Sequence, residues 1–230
     1  MIIGNGLIAN VFGDYKENDN YVIFASGVSD STNMDESAFK REEQLLNEIT
    51  TLYKEKIIIY FSTCSIYDTQ KKSTPYVLHK LKMEEIIISN NINHLIFRVS
   101  NPIGFTKNTS TFFNYFIDKI NKDEQFELWN NSYRNIIDIE DMFKICDYII
   151  KEKKYINSII NIANPKNYKI QTIITVIDKY FNKKSNYKVI EKGSEPLINT
   201  TTAEDVISIL KIEINEGYIE KLLSKYFPKK

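Results

Sequence analysis

Tyr76 and Lys80 stand four residues apart in a stretch of helical pattern, so one helix face carries both a phenol and an ammonium. A free tyrosine ionises near pH ~10. A neighbouring positive charge favours the phenolate and draws that value toward neutrality, where proton transfer to or from a substrate oxygen is efficient. The spacing alone selects nothing, because Tyr-x-x-x-Lys occurs five times: at Tyr67/Lys71, Tyr76/Lys80, Tyr115/Lys119, Tyr180/Lys184 and Tyr226/Lys230. Position selects one of them. Only Tyr76 lies on a helix that directly follows an apolar run ending in hydroxyls, Ile57–Phe61 and then Ser62-Thr63. A hydroxyl at such a strand end can share the hydrogen bond to the substrate oxygen, and open α/β sheets bind ligands at the carboxyl ends of their strands. A second constellation is Gly4-Asn5-Gly6-Leu7-Ile8-Ala9, which fits G-x-G-x-x-A. The first glycine permits a tight turn, the second lets backbone approach a pyrophosphate, and the small third position allows close helix–strand packing. The N–H groups of the helix that follows would face the phosphates.

The elements that must position these residues follow from periodicity. Short continuous apolar runs read as buried parallel strands at Met1–Ile3, Tyr21–Ala25, Ile57–Phe61 and His94–Val99. Between them lie helical patterns. Asp35 to Lys54 has Ala38, Leu45, Leu46, Ile49, Leu52 and Tyr53 on one side and Asp35 to cap it; Pro75 to Ser89 has proline at its first turn. Strand alternating with helix predicts an α/β, Rossmann-like parallel sheet. After Asn101 the pattern predicts helices over 109–120, 140–151 and 170–181, strand-like pieces near Phe126–Leu128, Asn135–Ile137 and Ile159–Ile162, and a helical stretch 203–226 broken near Gly217. The expected organisation is a dinucleotide-binding domain over residues 1–101 and a smaller, mostly helical substrate lobe over 102–230, part of which can return to the sheet.

Composition narrows the partners. Thirty basic and thirty acidic side chains cancel over 230 residues, which disfavours nucleic acid. No apolar run approaches the ~20 residues of a membrane span. The start of the chain has no basic flank or cleavage site, so no signal peptide is expected, and two cysteines make no disulfide framework. A cytoplasmic location is the expectation. His, Cys and carboxylates show no metal-ligand spacing. His79 and His94 read as helix surface and strand start, and Cys64 as a small buried hydrophobe.

In this order of motifs the sequence resembles the extended short-chain dehydrogenase/reductases, in the group of sugar-nucleotide epimerases, dehydratases and reductases. Gly4, Gly6 and Ala9 match the cofactor turn; Val22–Ser26 resembles the strand whose end underlies the cofactor; Phe61-Ser62-Thr63-Cys64-Ser65-Ile66-Tyr67 resembles the strand with the catalytic hydroxyl, at Thr63. Tyr76 and Lys80 match the catalytic pair. Arg98-Val99-Ser100-Asn101-Pro102-Ile103-Gly104 and Arg134 to Asp141 resemble two segments leading into the substrate lobe. The resemblance implies NAD(P)H as cofactor, held by Gly4, Asn5, Gly6, Leu7, Ile8, Ala25, Ser26, Tyr76 and Lys80. It implies catalysis by Thr63, Tyr76 and Lys80, and a nucleotide-sugar substrate touched by Ser65, Asn101 and Arg134. Homodimerisation is left open.

The departures are equally specific. Gly4 and Tyr21 are only 17 positions apart, and the family is usually roughly 300 residues long. The second and third strands, with the acidic residue that grips the adenosine ribose, have no counterpart. A right-handed crossover would place Tyr21–Ala25 on one side of the first strand; the resemblance places it on the other. Cys64 and Ser65 stand where dehydratases of the group carry Asp-Glu, so dehydration is disfavoured. The activity expected is NAD(P)-dependent reduction of a nucleotide-linked 4-keto sugar in surface polysaccharide synthesis. A 4-epimerase, or a non-catalytic nucleotide binder of the same fold, is the alternative.

Overall fold

A computed structural model describes residues 1–28, 34–106, 108 and 111–229. The chain begins with β1 (Ile2–Ile3), α1 (Leu7–Val11), β2 (Tyr21–Phe24), α2 (Glu36–Leu52), β3 (Ile57–Thr63), α3 (Pro75–Ser89) and β4 (His94–Val99). It continues through β5 (Asn101–Ile103), α4 (Phe112–Asn121), β6 (Phe126–Trp129), β7 (Tyr133–Arg134), β8 (Ile136–Asp138) and α5 (Ile139–Lys151). It closes with β9 (Ser158–Ile162), β10 (Tyr168–Lys169), α6 (Ile170–Phe181), β11 (Tyr187–Ile190), α7 (Thr201–Leu210) and α8 (Tyr218–Tyr226). No helix among the described residues is long and apolar enough to cross a membrane.

The central sheet is parallel, in the order β1-β2-β3-β4-β9. Strand alternation sorts its side chains onto two faces. Val22, Phe24, Ile58, Tyr60 and Ile96 meet Leu46 and Ile49 of α2 and Met83 and Ile87 of α3. Ile23, Ile59, Phe61, Leu95 and Phe97 face the larger core, with Phe12 after α1 and Met142, Ile145 and Ile149 of α5. Local chemistry sets the helix starts. Asp35 accepts from the Ser37 N–H at 2.9 Å to cap α2, and Thr74 caps α3 ahead of Pro75.

The position of β2 resolves the conflict left by the sequence. It lies between β1 and β3, so β1 is the sheet edge. The crossovers through α2 and α3 step across the sheet with their helices on one face. The crossover through α1 steps the same way with its helix on the other face, and so has the opposite hand. Right-handedness is the strong rule, which makes this first connection the exception. The reason is packing. α1 has only five residues, and the chain after it delivers Phe12, fully buried, against Phe61 and Phe143 with ring centroids 5.1 and 5.0 Å away. Tyr15 then donates to Asp147 of α5 at 2.7 Å. These anchors exist only on the α5 face.

Beyond β4 the chain pairs β5 with β8, returns to the main sheet at β9, and then adds β10 to β7 and β11 to β6, giving three two-stranded pairs outside the main sheet. α4 starts at Phe112; the expected start near Thr109 lies outside the described residues. The helical stretch near the end is two helices, α7 and α8, separated before Gly217. Buried Asp138 caps α5 and accepts from Tyr226 and Lys225 at 2.6 and 2.9 Å, which ties α8 to the lobe.

Candidate active site

The glycine turn sits at the carboxyl end of β1, against the end of β2. Gly4 has φ +123°, and a Cβ there would lie 2.4 Å from the Ala25 carbonyl oxygen. Only glycine fits, for conformation and space alike. Gly6 is the opposite case. Its backbone is extended (φ −81°, ψ −171°), and a Cβ would meet nothing within 4 Å. Leu7 and Ile8 turn their side chains into the main core, leaving their N–H groups at the turn. Asn5 is exposed, and Ala25 and Ser26 form the adjoining wall. Ala25 is fixed by its N–H bond to Ile3 at 2.8 Å. Because α1 is so short, its macrodipole is small, and the turn's individual N–H groups are what it offers an anion.

Two strands away, β3 ends in Ser62 and Thr63. Neighbouring strands lie about 4.8 Å apart, so turn and hydroxyls are separated by roughly 10 Å. Their roles differ. Ser62 donates to Glu84 at 2.5 Å, and Glu84 holds Arg98 bidentately at 2.6 and 3.0 Å. Arg98 donates onward to Tyr67 at 3.2 Å, and Tyr67 to Asn161 at 3.0 Å. Ser62 is thus committed to the framework. Thr63 accepts from the Ser65 N–H at 3.0 Å, capping the turn Cys64–Tyr67. Its own proton remains available to donate. Cys64 is buried, with its Sγ 3.0 Å from the Arg98 carbonyl, and burial pushes its thiol up to about 12. It packs as a small hydrophobe.

Tyr76 lies in the first turn of α3, packed with Val28 and Val77, and its hydroxyl makes no hydrogen bond among the described residues. α3 is apolar nearly all round, so its sequence does not announce which face is inside. The outcome is mixed. Val77, Met83 and Ile87 are buried, but so are Tyr76, His79, Lys80 and Glu84, while Leu78, Leu81 and Ile88 are exposed. The reading of His79 as helix surface is therefore corrected: its ring stacks on Phe39 at 4.6 Å, and Nε2 lies 3.0 Å from Glu42. His94 does begin β4, buried.

Arg134 lies on β7, across from the segment after β3. Its Nη1 donates to its neighbour's carbonyl, Tyr133, at 2.8 Å, and its guanidinium stands 5.7 Å over the Phe112 ring. It has no ion pair among the described residues: Asp138 and Glu140, the obvious candidates, are taken by Lys225. Burial lowers its proton affinity, partly offset by Asp68. Arg134, Asp68, Trp129 and Ser132 line a cleft of about 110 Å³ where the lobe meets the turn after β3. Asn101 is drawn elsewhere, donating its amide to the Asn135 carbonyl at 2.6 Å. Asn135 in turn exchanges bonds with Asn164 at 2.7 and 2.9 Å, and both residues are buried. Ser65 contributes backbone bonds only, to Thr63 and Asp68.

Residues 9–163 match the model of the NAD dependent epimerase/dehydratase family. The chain belongs to that family. The match begins just after Gly4 and Gly6 and ends just after β9, so it covers Thr63, Tyr76, Lys80, Asn101 and Arg134. The fold is similar to UDP-glucuronic acid 4-epimerase from Bacillus cereus in complex with UDP-glucuronic acid and NAD, with TM-score 0.71 and 17% identity over 90% of this chain and 74% of that one. It is also similar to UDP-N-acetylglucosamine 4-epimerase from Methanobrevibacter ruminantium in complex with UDP-N-acetylmuramic acid (TM-score 0.68, 19% identity, 98% and 81% covered). A third likeness is to dTDP-glucose 4,6-dehydratase from Bacillus anthracis in complex with NAD (TM-score 0.70, 14% identity, 97% and 77% covered). No curated protein matches the chain by sequence.

Within this family architecture Lys80 and Glu42 are the unexpected pair. Lys80, 3% exposed, donates to Glu42 Oε1 at 3.0 Å, to the Tyr60 hydroxyl at 3.1 Å and to the Phe61 carbonyl at 3.4 Å. Glu42, on α2 and fully buried, also accepts from Tyr60 at 2.8 Å and from the Val28 N–H at 2.8 Å. Burial alone would raise the Glu42 carboxyl; the Lys80 charge and the bonds from His79 and Val28 outweigh it and hold Glu42 far below the usual carboxylate range. Sequence reading missed Glu42, although the signal was present. It occupies position i+4 from Ala38 and i−4 from Leu46, on the apolar stripe of α2.

Proposed function

We propose that the chain binds a nucleotide sugar between the end of β3 and the cleft at Arg134, and reduces its 4-keto group with NAD(P)H. The observation that carries this reading is the arrangement at the strand ends. An open glycine turn on β1, and on β3 and α3 a threonine proton and a tyrosine hydroxyl without partner among the described residues, share the carboxyl edge of one parallel sheet.

The turn fits a dinucleotide pyrophosphate, because Gly6 leaves open space where a side chain would obstruct it. Gly4, Asn5, Gly6, Leu7 and Ile8 would hold it, with Ala25 and Ser26 as the wall. Bound NAD(P)H supplies a hydride. Thr63 orients the substrate oxygen, and Tyr76 gives that oxygen its proton. Arg134 holds the nucleotide diphosphate through charge-assisted bonds. In the family pattern Lys80 meets the ribose, but here its three N–H donors are spent on internal acceptors. With β1 at the sheet edge, the adenosine half has little wall. Weak, exchangeable binding of roughly 10–100 µM follows (about −5.5 to −7 kcal/mol).

Exchange suits a reductase, which releases its dinucleotide each turnover. The second reading, a nucleotide-sugar 4-epimerase, is favoured by the likeness to two such enzymes. Incubation with a UDP-4-keto sugar and NADH or NADPH tests the first by loss of nicotinamide absorbance. Incubation of UDP-glucuronic acid with NAD, followed by NMR, tests the second. Binding of the nucleotide sugar with neither reaction would make the chain a non-catalytic binder.

A further inference from the structure

Lys80 is enclosed on every side the structure describes. Glu42, Tyr60 and the Phe61 carbonyl accept its three protons. Above them lies Gly27, where a Cβ would stand 2.3 Å from Lys80 Nζ and 2.8 Å from Glu42 Oε1. The backbone at the end of β2 therefore roofs the ion pair. The carboxylate is equally saturated, by Tyr60, Lys80, the Val28 N–H and His79. An ammonium held this way can reach no ligand at the strand ends.

We propose that Glu42 is a lock on Lys80: by drawing the ammonium into a buried pair beneath Gly27, it withdraws the lysine from the dinucleotide site and lowers the affinity of that site. This rests on the dinucleotide reading above. The physical basis is competition for one cation. A fully buried carboxylate stripped of its counter-charge is strongly disfavoured, so Lys80 leaves only when Glu42 is neutralised or replaced. Glu42 touches neither proposed ligand and acts through Lys80, which makes it a positioning residue. A merely structural carboxylate would weaken the fold when replaced and would not sharpen ligand binding.

The test compares the whole protein with its Glu42→Gln variant. Glutamine keeps the shape and removes the charge. Each is pulse-labelled with an amine-acylating reagent, and modification of Lys80 is read by peptide mass spectrometry against the exposed Lys40 and Lys122. Each is also titrated with NADH by calorimetry. The lock predicts that Lys80 stays unmodified in the wild type and is modified like the exposed lysines in the variant, with NADH bound about tenfold more tightly. Modification of wild-type Lys80 at the exposed rate, or protection persisting in the variant, overturns the lock and leaves the proposed function standing. Equal NADH affinity in a variant whose Lys80 is released overturns the claim that the lock controls affinity. Release of Lys80 with NADH binding to neither protein supports the cage and overturns the dinucleotide reading. If Glu42→Gln does not fold, Glu42→Asp retains the charge but withdraws the carboxylate by one methylene, and partial release of Lys80 is then expected.

Discussion

Gly6→Ala separates what the glycine turn does for folding from what it does for a ligand. The backbone at Gly6 (φ −81°, ψ −171°) is open to alanine, and the new methyl meets no protein atom within 4 Å. Restricting the unfolded chain stabilises by about 0.4–1 kcal/mol. Gly6 is also the N-cap of α1, where alanine is worse than glycine by roughly 0.5–1 kcal/mol. The two nearly cancel, so the net change stays within about 0.5 kcal/mol. For a chain of this size that is a Tm shift of about 1 °C. The methyl projects where a pyrophosphate would approach, so NADH affinity should fall about tenfold (~1.4 kcal/mol). Gly4→Ala is the counterpart. It incurs about 1–3 kcal/mol of backbone strain, and its Cβ would overlap the Ala25 carbonyl at 2.4 Å, which is backbone and cannot swing aside. Thermal denaturation and NADH titration of both variants give four numbers. Unchanged NADH affinity in a folded Gly6→Ala would remove the turn from the binding site. Destabilisation by Gly6→Ala as large as that of Gly4→Ala would refute the geometry itself.

Other expectations follow from the same contacts. Tyr76→Phe removes a hydroxyl with no partner among the described residues, so the fold should hold while turnover with a 4-keto sugar nucleotide falls ~100-fold or more; wild-type rates would discard the assignment. Arg134→Ala should raise KM for the nucleotide sugar about tenfold with a smaller fall in kcat, because the contact serves ground state and transition state alike; steady-state kinetics checks it. Glu42→Gln removes the charged acceptor shared by Lys80, Tyr60, His79 and the Val28 N–H, so it should lose stability at neutral pH by urea denaturation, by less than the roughly 3–5 kcal/mol of a stranded buried charge because Lys80 is released. The Glu42 carboxyl is held below its ordinary value of 4.5. Its contribution is thus fully present above that pH and is lost as pH falls toward the folded value. The stability gap between wild type and Glu42→Gln should therefore narrow between about pH 5 and pH 2.

Much of this site was legible because its parts are local. A glycine turn after an apolar run, a strand ending in Ser62-Thr63 and a helix opened by Thr74-Pro75 each depend on a few neighbouring residues. What escaped was long-range. α3 carries apolar residues round most of its circumference, so periodicity gave no single buried face, and the face chosen combines Val77, Met83 and Ile87 with the polar His79, Lys80 and Glu84, which Glu42, Tyr60 and Arg98 satisfy. Glu42 itself is 38 positions from Lys80. Its place on an apolar stripe said that it needed a buried partner, and no rule of spacing said which.

The first crossover was undecidable for a related reason. Handedness is a preference of the connection, whereas the side to which β2 goes is decided by where its helix can bury its apolar face. With five residues α1 cannot cover a sheet face alone, and Phe12 and Tyr15 complete the burial only against α5. That choice leaves β1 at the edge and puts the glycine turn at the margin of the sheet instead of its centre. A ligand there is held on one flank only. The same margin brings the end of β2, and with it Gly27, over Lys80. The thin wall of the proposed dinucleotide site and the enclosed lysine are in this sense two results of one packing decision. A variant that frees Lys80 should recover part, and only part, of the affinity that the missing flank would have provided.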